Sequence, residues 1–75
     1  MPLTALAPGQ RAFVTAISGG HGMRRRLASM GLTTGCEVVA LISRGQGPVV
    51  VAVRQTRLAL GRGIASRIDV EPLEG

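Results

Sequence analysis

Aromatic side chains are almost missing from this chain of 75 residues: there is no Trp, no Tyr and a single Phe, Phe13. The core must therefore be aliphatic, built from Val, Leu, Ile, Ala and Met, and Phe13 is expected inside it. Cysteine occurs once, as Cys36. A small secreted domain with so thin a core usually carries paired cysteines, so their absence points to a reducing compartment, most simply the cytoplasm. Lysine is absent, and all nine basic residues are Arg. Long apolar runs are absent too. A charge-free run such as Val38 to Ile42 is strand-sized, far below the ~20 residues that cross a bilayer. The first ten residues, MPLTALAPGQ, lack the basic and apolar regions of a signal peptide. Contact with a membrane is thus expected only through a partner.

The scarcity extends to reactive groups. One His, one Cys and four acidic residues leave little for catalysis, and the chain is read as a non-enzyme. A Cys–His pair needs both groups within hydrogen-bond reach. His21 sits in a glycine-rich loop and Cys36 opens a strand, so Cys36 reads as a small buried hydrophobe and His21 as an exposed loop residue. No CxxC, HxxxH or acidic cluster offers a zinc site. Asp69 and Glu71 share a strand face and read as its solvated side rather than a cation site. Ser18-Gly19-Gly20-His21-Gly22 is glycine-rich but lacks the phosphate-loop pattern. No cofactor is implied.

What is present is a strand pattern. Residues Arg11 to Ile17 alternate, bounded by Pro8-Gly9 and Gly19-Gly20. Phe13, Thr15 and Ile17 share one face, Ala12, Val14 and Ala16 the other. Met23, Leu27 and Met30 come next at helical spacing, and Gly31 stands where a left-handed cap would end that helix. Thr33-Thr34-Gly35 reads as a turn, Cys36 to Ser43 as a strand, and Gly45-Gln46-Gly47-Pro48 as a loop. Val49 to Val53 is a β-branched strand, Gln55-Thr56 a tight connection and Arg57 to Leu60 a short strand. Ile64 to Ser66 reads as a helical turn weakened by Gly61 and Gly63. Arg67 to Glu71 alternates strictly with Ile68 and Val70 inward, and the tail from Pro72 to Gly75 is expected to fray. The whole of 1–75 reads as one all-β domain, a small barrel of about five strands with one short helix after the first. Closure would hide the edges of very apolar strands such as Val49 to Val53.

The formal charge of +5 admits nucleic acid, an acidic protein surface or an anionic membrane face. Arg24-Arg25-Arg26 lies on the helix, where consecutive residues differ by about 100° in direction, so the three fan out. Single-strand binders on small barrels stack bases on surface aromatics, and a buried Phe13 leaves none.

The most specific stretch is MRRRLASMGLTTGCEV. It has the form R-L-x-x-x-G-L-x-x-G-x-x-V through Arg26, Leu27, Gly31, Leu32, Gly35 and Val38. Gly9, Val14 and Ile17 precede it; Gly47-Pro48, the valines 49, 51 and 53, Leu58-Ala59-Leu60, Ala65, Ile68 and Val70 come after it. This order of spacings, from about Gly9 to Val70, resembles the FeoA family, and is similar to the C-terminal domain of DtxR-type iron-dependent repressors. The resemblance implies an SH3-like barrel. It also implies a small cytoplasmic accessory that docks on the GTPase-bearing cytoplasmic part of the ferrous-iron transporter FeoB and modulates uptake. Transition-metal binding is associated with the family, but no ligands are carried over here. Gly61, Gly63 and Gln55-Thr56 depart from the expected local pattern.

The docking face implied is the helix, around Arg25, Arg26, Leu27 and Met30, with the two arginines pairing with acidic groups of the partner. Leu27 and Met30 are weighed more heavily as the residues that seat the helix on the barrel. Two other readings stand beside this one: a small basic nucleic-acid-binding barrel and a metal-responsive binding module.

Overall fold

The computed structural model describes residues 1–43 and 45–73. Its elements follow the apolar alternation of the sequence. β1 (Arg11–Ile17) is followed by helix α1 (His21–Ser29), then β2 (Glu37–Ile42), β3 (Val49–Val53) and β4 (Thr56–Leu60). A one-turn helix, α2 (Arg62–Ala65), leads into β5 (Ile68–Pro72), and a 3-10 turn at Leu3–Ala5 precedes the sheet. The strands form one antiparallel sheet in the order β4-β3-β2-β1-β5. Strands and helices fall within a few residues of the positions expected from the sequence.

One face of the curled sheet makes the core. Val49, Val51 and Val53 of β3 are buried against Val38 and Ala40 of β2, Leu58 and Leu60 of β4, and Ile68 and Val70 of β5. Among the described residues no polar or charged residue is buried as a whole, although Arg62 Nε is buried without a hydrogen-bond partner, so the core is held mainly by apolar burial. At about 25 cal/mol per Å² of apolar area, each fully buried Val or Leu contributes ~1.5–3 kcal/mol.

β1 departs from its expected face. Ala12 and Val14 are buried, whereas Phe13 is 42% exposed. The cause is a register shift against β5 between Val14 and Ala16. The irregularity at Thr15 reverses the facing of the last residues of the strand, so Ile17 turns into the core on the side begun by Ala12 and Val14. Simple alternation groups Ile17 with Phe13 and takes the one aromatic residue inward; the bulge undoes both. A second register shift, between Ala40 and Ile42 of β2, leaves Ile42 on the outer face opposite Val50.

Both ends of the described residues are tied down. Leu3 and Leu6 are fully buried, which nothing in the sequence reading anticipated. Pro2 bridges to Asp69, the Val70 N–H donates to the Met1 carbonyl, and Ser43 Oγ donates to the Thr4 carbonyl. The tail does not fray at Pro72: that residue pairs with Ala12, and the Leu73 N–H donates to the Arg11 carbonyl. Glu74 and Gly75, the rest of that segment, lie outside the described residues. The connection between β3 and β4 is the pair Arg54-Gln55, one residue earlier than expected, with Thr56 already paired to Val53. Arg54 adopts φ +57, a left-handed conformation unusual for a residue with a Cβ.

Candidate docking site on the inserted helix

α1 is held at both ends and along one side. Its N-terminus has no side-chain cap, as the glycine-rich entry implies. A different device replaces the cap. Arg24 Nε donates to the Ile17 carbonyl at 3.1 Å, strapping the first turn to the last residue of β1. The entry itself needs glycine at one point. Gly19 has φ +141, and a Cβ there would lie 2.6 Å from Met23 Cε.

The C-terminus closes in a Schellman motif. The Gly31 N–H donates to the Ala28 carbonyl and the Leu32 N–H to the Leu27 carbonyl, both at 2.9 Å. Gly31 takes φ +91, as its place after the apolar stripe implied. Leu27 and Leu32, the apolar residues that flank this motif, are both buried in the core.

Leu27 is 1% exposed. It therefore belongs to the seat of the helix and offers no surface to a partner, because its whole side chain is spent on the barrel. Met30 is half-buried and packs on the core, as does Met23. Arg25 and Arg26 are exposed, and among the described residues neither forms an ion pair. Arg26 lies in the last turn, where a cation is favoured by the helix dipole. Of the three consecutive arginines, one is structural and two are free to meet a ligand.

The other singled-out residues do not converge. His21 is exposed at the start of α1 and Cys36 is half-buried before β2. Neither side chain takes part in a hydrogen bond among the described residues. Among those residues no three His, Cys, Asp or Glu side chains gather closely enough to hold a metal ion. Cys36, Glu37, Val39, Ala52 and Arg54 line a shallow hollow of about 390 Å³ on the outer sheet face. No helix among the described residues is long and apolar enough to cross a membrane.

The exposure of Phe13 removes one premise of the sequence reading, since an aromatic ring is available on the surface after all. Its surroundings argue against base stacking. Its cross-strand partners are Glu37 on β2 and Glu71 on β5. Two carboxylates flanking the ring repel a phosphate backbone. The one ion pair among the described residues, Arg11 Nε to Glu37 Oε2 at 3.5 Å, is solvent-exposed and contributes at most about 1 kcal/mol.

A five-stranded antiparallel sheet with a one-turn helix before its last strand, and a firmly seated basic helix after its first, defines a domain of the SH3-like class. Among the described residues β4 and β5 do not pair, so the closure expected from the sequence is not completed by strand pairing. The FeoA domain model matches residues 1–72, and the chain belongs to the FeoA family. It is 36% identical over 73 residues to Fe(2+) transport protein A of Methanocaldococcus jannaschii, covering 97% of this chain and 88% of that protein. A crystal structure of the iron uptake regulatory protein FeoA superposes with a TM-score of 0.91 at 41% identity, covering 97% of each chain. The zinc complex of FeoA from Stenotrophomonas maltophilia matches at a TM-score of 0.77 and 30% identity, covering 95% of this chain and 89% of that one. That protein is described as a procaryotic SH3 domain protein and a candidate ferrous iron transport activating factor. The repressor likeness also holds. A manganese-dependent transcriptional repressor matches at a TM-score of 0.87 and 29% identity, over 97% of this chain and 41% of the repressor.

Proposed function

We propose that this chain is a cytoplasmic, non-catalytic accessory of ferrous-iron uptake, acting by docking on the GTPase-bearing cytoplasmic part of the membrane transporter FeoB. The observation that carries the reading is the division of labour on α1: Leu27, Met23, Arg24 and the Gly31 cap fix the helix, while Arg25 and Arg26 stand unpaired on its outside. A rigidly held helix loses little freedom on binding, which favours affinity. Unpaired arginines suit carboxylates on a partner. Membership of a family with members named for ferrous iron transport supports the pathway.

Zinc, present in the Stenotrophomonas protein, finds no preformed site of three His, Cys or carboxylate groups among the described residues here. The metal-responsive reading therefore draws no support from this chain's own side chains. Nucleic acid is disfavoured by the carboxylates beside Phe13.

The test is co-purification with the transporter's cytoplasmic domain, run beside binding to random single-stranded DNA over a salt series. The expected result is a complex with the transporter domain and no DNA shift at physiological salt. DNA binding whose log affinity falls linearly with log salt, without capture of the transporter domain, would contradict the proposal.

A further inference from the structure

The two edges of the sheet are finished differently. The β5 edge is covered by the chain's first residues: Pro2 bridges to Asp69, and Met1 exchanges backbone hydrogen bonds with Val70 in both directions, at 3.0 and 2.7 Å. The β4 edge has no such cover. β4 pairs with β3 on one side, and among the described residues no other backbone or side-chain hydrogen bond reaches Thr56–Leu60. In an antiparallel strand about half the N–H and C=O groups point away from the neighbour, so β4 presents a row of unpaired donors and acceptors.

That row has a definite chemical character. Its outward side chains are Arg57 and Ala59, both exposed, while Leu58 and Leu60 turn into the core. Arg54 stands in the turn before β4 and Arg62 begins α2 just after it. Between Glu37 and Asp69 the chain has no acidic residue at all. The open edge is therefore uniformly basic, whereas the covered edge carries Asp69 and Glu71.

We infer that the β4 edge is a strand-addition site for an extended, acidic segment of a partner protein. A strand laid against β4 satisfies the free backbone groups and continues the sheet. Its residues alternate between the two sheet faces. Those on the outer face meet Arg57 and are best acidic; those on the inner face run beside Leu58 and Leu60 and are best apolar. A second copy of this chain is the poorer occupant. Joining β4 to β4 brings Arg54, Arg57 and Arg62 of two molecules together, and like charges across a strand pair repel. This site lies on a different element from the helix face and does not depend on which transporter the chain serves.

The experiment uses the full chain and a short capped peptide of alternating Val and Glu, with binding read by amide hydrogen exchange and NMR titration. Protection of alternate β4 amides, with those of β5 unchanged, is expected. A Val–Lys peptide should not bind, and N-methylation along one peptide edge should abolish binding by removing the backbone donors. Arg57→Glu, on an exposed position, should weaken the Val–Glu peptide by about tenfold or more and reverse the preference toward Val–Lys. Three results would overturn the inference: binding indifferent to N-methylation, displacement of the peptide by single-stranded DNA, and β4 protection that appears without peptide as protein concentration rises.

Discussion

The two sides of α1 use similar sequence for opposite ends. On the inner side Leu27 is buried, Met23 and Met30 pack on the core, and Arg24 reaches back to the Ile17 carbonyl. On the outer side Arg25 and Arg26 touch no ion-pair partner among the described residues. The difference teaches that residue type alone does not assign a role on a short helix. Arg24 and Arg25 are neighbours and identical, yet one is part of the architecture and the other is available for binding. The ~100° turn between successive residues decides which.

Substitutions should separate the two sides by size of effect. Leu27→Ala empties a core position and should cost about 2–5 kcal/mol, read as a lower midpoint in chemical denaturation. A cost under ~1 kcal/mol would mean that the helix is not seated as described. Gly31→Ala forces a Cβ into the left-handed region at φ +91 and should cost about 1–2 kcal/mol. The space itself is adequate, since the nearest atom to that Cβ is Val53 Cγ1 at 3.8 Å, so the penalty comes from the backbone alone. Arg24→Ala removes one partly buried hydrogen bond and should cost about 0.5–1.5 kcal/mol, with faster exchange of the first-turn amides. Arg25→Ala and Arg26→Ala, on the outer side, should change stability by less than about 0.5 kcal/mol. Equal costs for Arg24→Ala and Arg25→Ala would erase the distinction.

Much of this is readable in the residues. The strands announce themselves by valine and leucine alternation, and Gly31 marks the helix end because a left-handed cap needs it. The failures are local and physical. A lone aromatic residue is usually buried, which takes Phe13 inward on paper, but the irregularity at Thr15 lets Ile17 share the inner face with Ala12 and Val14. No composition rule foresees such a bulge. The burial of Leu3 and Leu6 had a usable sign, Pro2 followed by leucines at i and i+3, but a three-residue turn carries too little periodicity to stand out. The candidate site is legible as a helix, since its stripe and cap are sequence-local. Which of its arginines is free is not, because the bond from Arg24 to Ile17 depends on how the helix folds back on the end of β1.

The most direct measurement is an affinity titration of the double charge reversal, Arg25→Glu with Arg26→Glu, against the cytoplasmic GTPase domain of the transporter, with circular dichroism and thermal melting in parallel. The account predicts an unaltered fold and melting temperature together with loss of the complex. Wild-type affinity in the double variant would contradict it.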